Sequence, residues 1–167
     1  MSSRSEIVLG IDPGTAITGY GLVSEQDGEL QAIAYGVIRT PAEDPLRVRL
    51  VQIYDALREL IRHHKPAAAA VEELFFARNA RTALSVGHAR GVVLLAVAQS
   101  NLPLFHYKPA QVKQAVTGYG GADKQQVQEM VRMLLGLDER PQPDDAADAL
   151  AVAICHIHST AMLRLGL

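Results

Sequence analysis

Ile7-Val8-Leu9-Gly10-Ile11 contains no polar side chain, and it runs straight into Asp12-Pro13-Gly14. An apolar stretch this short, closed by strong turn chemistry, reads as a strand buried on both faces. Such a strand can exist only inside a sheet covered by other elements on both sides. It also sets a carboxylate at the mouth of a buried strand, an awkward place for an acid with no task.

The rest of the chain supplies the expected neighbours. Gly19 to Ser24 and Leu30 to Arg39 alternate as strands, and Asp27-Gly28 between them is a hairpin signal. Asp44 is placed to cap a helix with Pro45 at its first position. Leu46, Leu50, Ile53, Leu57 and Leu60 keep a helical period that should stop before Pro66. Ala67 to Val71 is a second short buried strand, ending at Glu72-Glu73. Asn79 to Gln99 forms a long Ala-rich helix with Gly87 and Gly91 on one face, and Pro103 to Tyr107 a fifth strand. A short helix over Ala110 to Val116 precedes the glycine loop Gly118 to Gly121. Asp123 with Gln126 fits a capping box for a helix that Gly136 closes. A last Ala-rich helix covers Asp144 to Met162. The order predicts one mixed α/β sheet flanked by helices, in a single domain over 1–167 with a polar extension at 1–6.

Composition narrows the partners. With 49% apolar and 20% charged residues the chain can bury a core, and no apolar run is expected to cross a bilayer. Cys155 stands alone, so no internal disulfide forms, and a reducing cytoplasm is the expected compartment. The net charge of −2 argues against nucleic acid, but its distribution does not. Between Arg78 and Arg132 lie seven basic residues against two acids. Cations for phosphates and carboxylates for metal occupy different stretches.

Four acids form the candidate centre. Asp12 and Glu72 each end a buried strand; if those strands are parallel neighbours, both carboxylates emerge at one edge of the sheet. Asp145 and Asp148, three apart at the start of the last helix, share a face. Each acid alone has an ordinary explanation as a turn residue, a solvated strand end or a complement to the helix dipole. Together they suit Mg²⁺ or Mn²⁺. His156 and His158, two apart on a helix, are a poor metal pair, and Cys155 reads as a buried apolar residue.

Gly10-Ile11-Asp12-Pro13-Gly14 with Thr18-Gly19-Tyr20-Gly21 resembles the opening of the RuvC family of Holliday-junction resolvases. Val71-Glu72-Glu73-Leu74-Phe75, Gln111-Val112-Lys113-Gln114 and Asp145-Ala146-Ala147-Asp148-Ala149-Leu150 resemble its later blocks, in the same order, from Ile7 to about His158. The resemblance implies an RNase H-like fold with a five-stranded mixed sheet. It implies an endonuclease that resolves four-way DNA junctions by paired, metal-dependent hydrolysis. Asp12, Glu72, Asp145 and Asp148 would be the catalytic metal ligands for two Mg²⁺ per subunit, with Mn²⁺ able to substitute. Asp145 is an acid where some relatives carry histidine. Phe75 would stack on an unpaired base, and Arg78, Asn79, Arg90, Lys113 and Lys124 would contact DNA. A homodimer, built on the Ala/Gly-rich helix from Asn79 to Gln99, and the branch-migration partners RuvA and RuvB are implied as well.

Three other readings compete. Asp-Pro-Gly-Thr after a strand also resembles the phosphate hairpin of the actin and sugar-kinase superfamily, but those proteins close two such domains around ATP. A related nuclease acting on ribosomal RNA would share the acids without the Gln111–Gln114 block. A non-catalytic junction-binding subunit would not need an intact carboxylate set.

Overall fold

The structure, a computed structural model, describes residues 5–73 and 79–167. Five strands form one sheet in the order β3-β2-β1-β4-β5. They are β1 (Ile7–Asp12), β2 (Ile17–Gln26), β3 (Glu29–Arg39), β4 (Ala68–Glu72) and β5 (Leu104–Tyr107). The first three pair antiparallel as a meander, whereas β4 lies parallel to β1 and β5 parallel to β4. This is the mixed five-stranded sheet expected. The β2–β3 turn has φ of 54° at Asp27 and 83° at Gly28, the paired positive values of a tight hairpin that suits the strand twist.

Strand parity decides what each face does. Leu9 and Ile11 of β1, with Ala69 and Val71 of β4, face α1 (Leu46–His64) and α2 (Ala80–Gln99), packing on Ile53, Leu57, Val93 and Val97. Val8 and Ala70 point the other way, toward α3 (Pro109–Thr117), α4 (Lys124–Leu134) and α5 (Asp144–Arg164). Residues of the same parity further along are Gly10 and Asp12 on β1 and Glu72 on β4. Both strand-end acids therefore share the face covered by α5.

That helix lies unusually close to the sheet. A Cβ on Gly10 would fall 1.9 Å from the Ala149 carbonyl oxygen, and one on Gly19 would fall 2.0 Å from that of Asp145. Gly10 and Gly19 thus leave a trough into which backbone, not side chain, is pressed. Ala146, Ala147, Ala149 and Ala153 on α5 are all buried, small enough for that approach.

Two local expectations are corrected. Asp44 does not cap α1. Pro45 is extended and directly precedes the helix, its carbonyl accepts from Val48 and Arg49, and Asp44 Oδ2 instead accepts from Gln52 Nε2 at 2.8 Å. The expectation that no segment is long and apolar enough to cross a bilayer also fails on length and composition. The 20 residues of α2 and the 21 of α5 both reach that threshold. For α5 the reason is its place in the fold, since 61% of its most apolar window is buried between the sheet and α3–α4. By contrast α2 is only 22% buried over the same length and shows Leu84 and Leu95 to solvent. The Asp123–Gln126 box forms as read, each side chain bonding the other's backbone N–H at 2.8–2.9 Å.

Candidate active site

At the carboxyl edge of the sheet β1 ends on Asp12 and, one strand over, β4 ends on Glu72, the register pairing Ile11 with Val71. The first turns of α5 bring Asp145 and Asp148 over that edge, held there by the close contact at Gly10 and Gly19. The four acids influence one another electrically. The Asp12 carboxyl is pushed up from 3.8 to about 8, first by burial and then by the charges of Asp148, Asp145 and Glu72. Asp148 is raised by burial and by Asp145 and Asp144, against the opposing pull of Lys124 and a hydrogen bond from Asp12. Glu72 keeps solvent contact, yet its carboxyl too is raised, by partial desolvation and by Asp148, with Lys113 opposing. Burial and crowding thus hold the Asp12 carboxyl largely protonated at neutral pH.

Lys124 leans over this edge from the first position of α4. Its Nζ lies 3.1 Å from Asp144 Oδ2 and 4.0 Å from Asp148 Oδ2. The other oxygen of Asp144 accepts from Gln128 Nε2 at 3.1 Å, and Gln128 is buried one turn beyond Lys124 on the same helix. Asp144 thus ties α4 to α5, a role that its position at the start of the last helix does not by itself indicate. The i, i+4 spacing of Lys124 and Gln128 is the signal that could have found it.

The remaining candidates divide. Lys113 on α3 comes within electrostatic reach of Glu72. Asn79 caps α2, its Oδ1 accepting from the Arg81 N–H at 2.9 Å. Arg90 is engaged inside the fold, with Nη1 donating to the Glu72 carbonyl at 2.7 Å and Nη2 lying 2.8 Å from His106 Nδ1. Phe75 and Arg78 lie outside the described residues. His156 is buried against the Tyr107 hydroxyl at 2.6 Å and His158 bonds the Ala115 carbonyl at 2.8 Å, both structural. Burial pushes the Cys155 thiol up to about 11, so it stays an unreactive thiol.

Among the described residues no three Asp, Glu, His or Cys side chains already close into a coordination sphere. The donor chemistry nevertheless fits a hard divalent cation: oxygen-only ligands, crowded enough to hold one proton at about 8. Mg²⁺-type sites commonly use one or two carboxylates per ion and complete the shell with water and substrate phosphate, not with a closed protein cage. A groove of about 980 Å³ lies at the opposite end of the sheet, lined by Glu6, Glu25, Phe105, His156 and Arg164. None of the four acids lines it.

Strand order, layering and a carboxylate-lined sheet edge together define an RNase H-like nuclease. The family model described as "Crossover junction endodeoxyribonuclease RuvC" matches residues 8–156. The RuvC crossover junction endodeoxyribonuclease of Desulfitobacterium hafniense is 58% identical over 161 residues, covering 96% of this chain and 98% of the relative. That of Moorella thermoacetica is 61% identical over 151 residues, 90% of each chain. Thermus thermophilus RuvC, solved in complex with a Holliday junction substrate, superimposes with a TM-score of 0.90 at 39% identity, covering 94% of this chain and 96% of that one. The chain belongs to the RuvC family of crossover junction endodeoxyribonucleases.

Proposed function

We infer that this chain is a structure-selective endonuclease that resolves four-way DNA junctions by metal-dependent phosphodiester hydrolysis, with Asp12, Glu72, Asp145 and Asp148 as its catalytic cation ligands. The observation that carries the residue assignment is the convergence of the parallel β1 and β4 ends and the first turns of α5 on one sheet edge, a crowding that also raises the Asp12 carboxyl to about 8. Such crowding has no structural benefit, and a cation would relieve it. The junction-bound Thermus relative and the family membership support the substrate.

When bound, two Mg²⁺ ions per subunit, or Mn²⁺ in their place, would activate water and stabilise the leaving oxygen. The chain's own residues do the rest. Asp12 must release its proton before the cluster can hold cations. Lys113 and Lys124, beside Glu72 and Asp148, supply positive charge for the phosphates flanking the cut. Phe75 stacks on an exposed base at the crossover, and Arg78 meets the backbone near it.

The chain works as a homodimer, so that two sites face a junction that is itself nearly two-fold. The weakly buried α2, with Leu84 and Leu95 exposed and open space above Gly87 and Gly91, is the interface. RuvA and RuvB deliver the junction. Incubation with a synthetic four-way junction, a linear duplex, an RNA hairpin and ATP separates this activity from its rivals. Cleavage confined to the junction, dependent on Mg²⁺ and abolished by Asp12→Asn, is the expected result. Cutting that survives Asp12→Asn overturns the site, and ATP turnover overturns the activity.

A further inference from the structure

Glu72 is the exposed member of the four acids at this edge. It is the last residue of β4, and among the described residues its carboxylate makes no ion pair. The last ladder bond beyond it is the Glu73 N–H to the Tyr107 carbonyl at 2.7 Å. A strand end with so few ties tends to fray, and a carboxylate on it would wander by more than catalysis tolerates.

Arg90 meets that strand end from the face opposite α5. It stands midway along α2, and its planar fork spans two strands: Nη1 donates to the Glu72 carbonyl oxygen at 2.7 Å, and Nη2 reaches His106 Nδ1 on β5 at 2.8 Å. A guanidinium can only donate, so His106 Nδ1 is the acceptor in this contact. The charges acting on the Glu72 carboxyl are those of Asp148 and Lys113; Arg90 is not among them. Its influence therefore passes through the backbone.

We propose that Arg90 is a positioning residue for Glu72, clamping the ends of β4 and β5 so that the Glu72 carboxylate leaves the sheet in the direction of Asp12 and Asp148. The sequence reading puts Arg90 on the DNA backbone. Both terminal nitrogens are instead committed within the fold, which leaves Nε alone for any outside partner. Lysine could not substitute, because a single ammonium cannot hold a carbonyl and an imidazole in two fixed directions.

This inference rests on Glu72 being a cation ligand, so the experiment includes a variant that tests that reading separately. In the full chain, Arg90→Gln, Arg90→Lys, His106→Ala and Glu72→Gln are compared by Mn²⁺ titration without DNA, by junction affinity across salt concentrations, and by single-turnover cleavage. For Arg90→Gln the half-saturating Mn²⁺ concentration should rise by about 10- to 100-fold, and cleavage of bound junction should slow in parallel. Junction affinity and its salt slope should hold. Arg90→Lys should not rescue, and His106→Ala should shift Mn²⁺ affinity in the same direction by less. A salt slope reduced by about one charge with unchanged Mn²⁺ affinity makes Arg90 a phosphate contact and overturns the proposal. Should Arg90→Gln fail to fold, His106→Ala decides on the same readouts, and wild-type Mn²⁺ affinity there overturns the clamp. Wild-type cleavage by Glu72→Gln overturns the ligand reading itself, whereas its loss beside an unaffected Arg90→Gln overturns only the clamp.

Discussion

Asp12 on β1 and Asp148 on α5 act on each other's ionisation: the first carboxyl is pushed up to about 8, by burial and then by the charge of the second, which is itself raised by burial. Two carboxylates brought together from distant parts of a chain cost stability when both are charged. The fold accepts that cost at the carboxyl edge, while an apolar cluster of Leu9, Ile11, Ala69 and Val71 with α1 and α2 packs the other face of the same sheet. The expense is localised where a cation would refund it.

Asp12→Asn should abolish Mg²⁺-dependent nicking and leave junction affinity within a few-fold, because the lost group holds cations and not phosphate. It should also stabilise the cation-free protein, with a definite pH dependence. In the unfolded chain Asp12 ionises near its ordinary 3.8, and in the fold only near 8. The folded form thus binds the extra proton between those values. Its stabilising contribution is complete below about 3.8 and is lost as the pH climbs to about 8. The asparagine variant escapes that loss. At pH 9 it should gain about 1–2 kcal/mol, allowing for solvent screening, or roughly 2–8 °C in Tm. At pH 5 the gain should shrink to roughly a third of that. Thermal melts in a chelator at the two pH values check it, and an equal shift at both would disprove the proton assignment.

Cation binding must expel the same proton. Below about pH 8, Mn²⁺ or Mg²⁺ competes with a proton on Asp12, and above it no longer does. Affinity should therefore rise with pH and level off near 8, with close to one proton released per cluster at pH 7. Calorimetry in buffers of different ionisation enthalpy measures that release. Saturating cation at about 100 times Kd should raise wild-type stability by about 2.7 kcal/mol, and removing it with chelator should reverse the gain. Asp148→Asn should blunt both effects.

Lys113→Ala should weaken junction binding and lower the salt slope of log Kd by about one unit, the signature of a lost phosphate contact. A slope equal to wild type would make Lys113 a local partner of Glu72 only, since it already opposes the rise of that carboxyl. Lys124→Ala should act differently. It removes the cation nearest Asp148 and should raise the Asp12 carboxyl further, shifting the cleavage pH profile upward.

The sequence alone disclosed the elements and the four acids because both are local: a run of apolar residues, a turn, an acid at a strand end. Once the β1–β4 register is known, strand parity makes Asp12 and Glu72 share a face, since both fall an even number of residues from inward-facing Val8 and Ala70. What stayed hidden depends on partners far apart in the chain. The Asp144–Lys124–Gln128 tie joins two helices, and the Arg90–Glu72–His106 clamp joins a helix to two strand ends. No spacing rule reaches across such gaps. Asp44 was misread because a capping acid and a neighbouring proline look the same whether the helix starts at the proline or after it. The apolar length of α2 and α5 escaped notice because scattered His, Ser and Arg residues interrupt both runs without lowering their mean hydropathy below the threshold.

Gly10 and Gly19 carry the last prediction, because alternate glycines on adjacent strands were visible in the sequence but their purpose was not. A methyl group at either position would overlap the backbone of α5 within 2.0 Å, and backbone on both sides leaves nothing flexible to yield. Gly10→Ala should destabilise by about 3 kcal/mol, the upper end for overpacking, and lower Tm by roughly 6–12 °C. Gly19→Ala meets the carbonyl of Asp145 itself, so lifting the helix there should move Asp145 and Asp148 away from Asp12. In the folded fraction of that variant Mn²⁺ affinity should fall, and the Asp12 carboxyl should drop back toward its ordinary value as its charged neighbours recede. The pH dependence of Mn²⁺ binding reads out both. A Gly19→Ala protein that melts lower but keeps wild-type Mn²⁺ affinity and pH dependence would mean that the glycine trough serves packing alone, and that something else positions the helix acids.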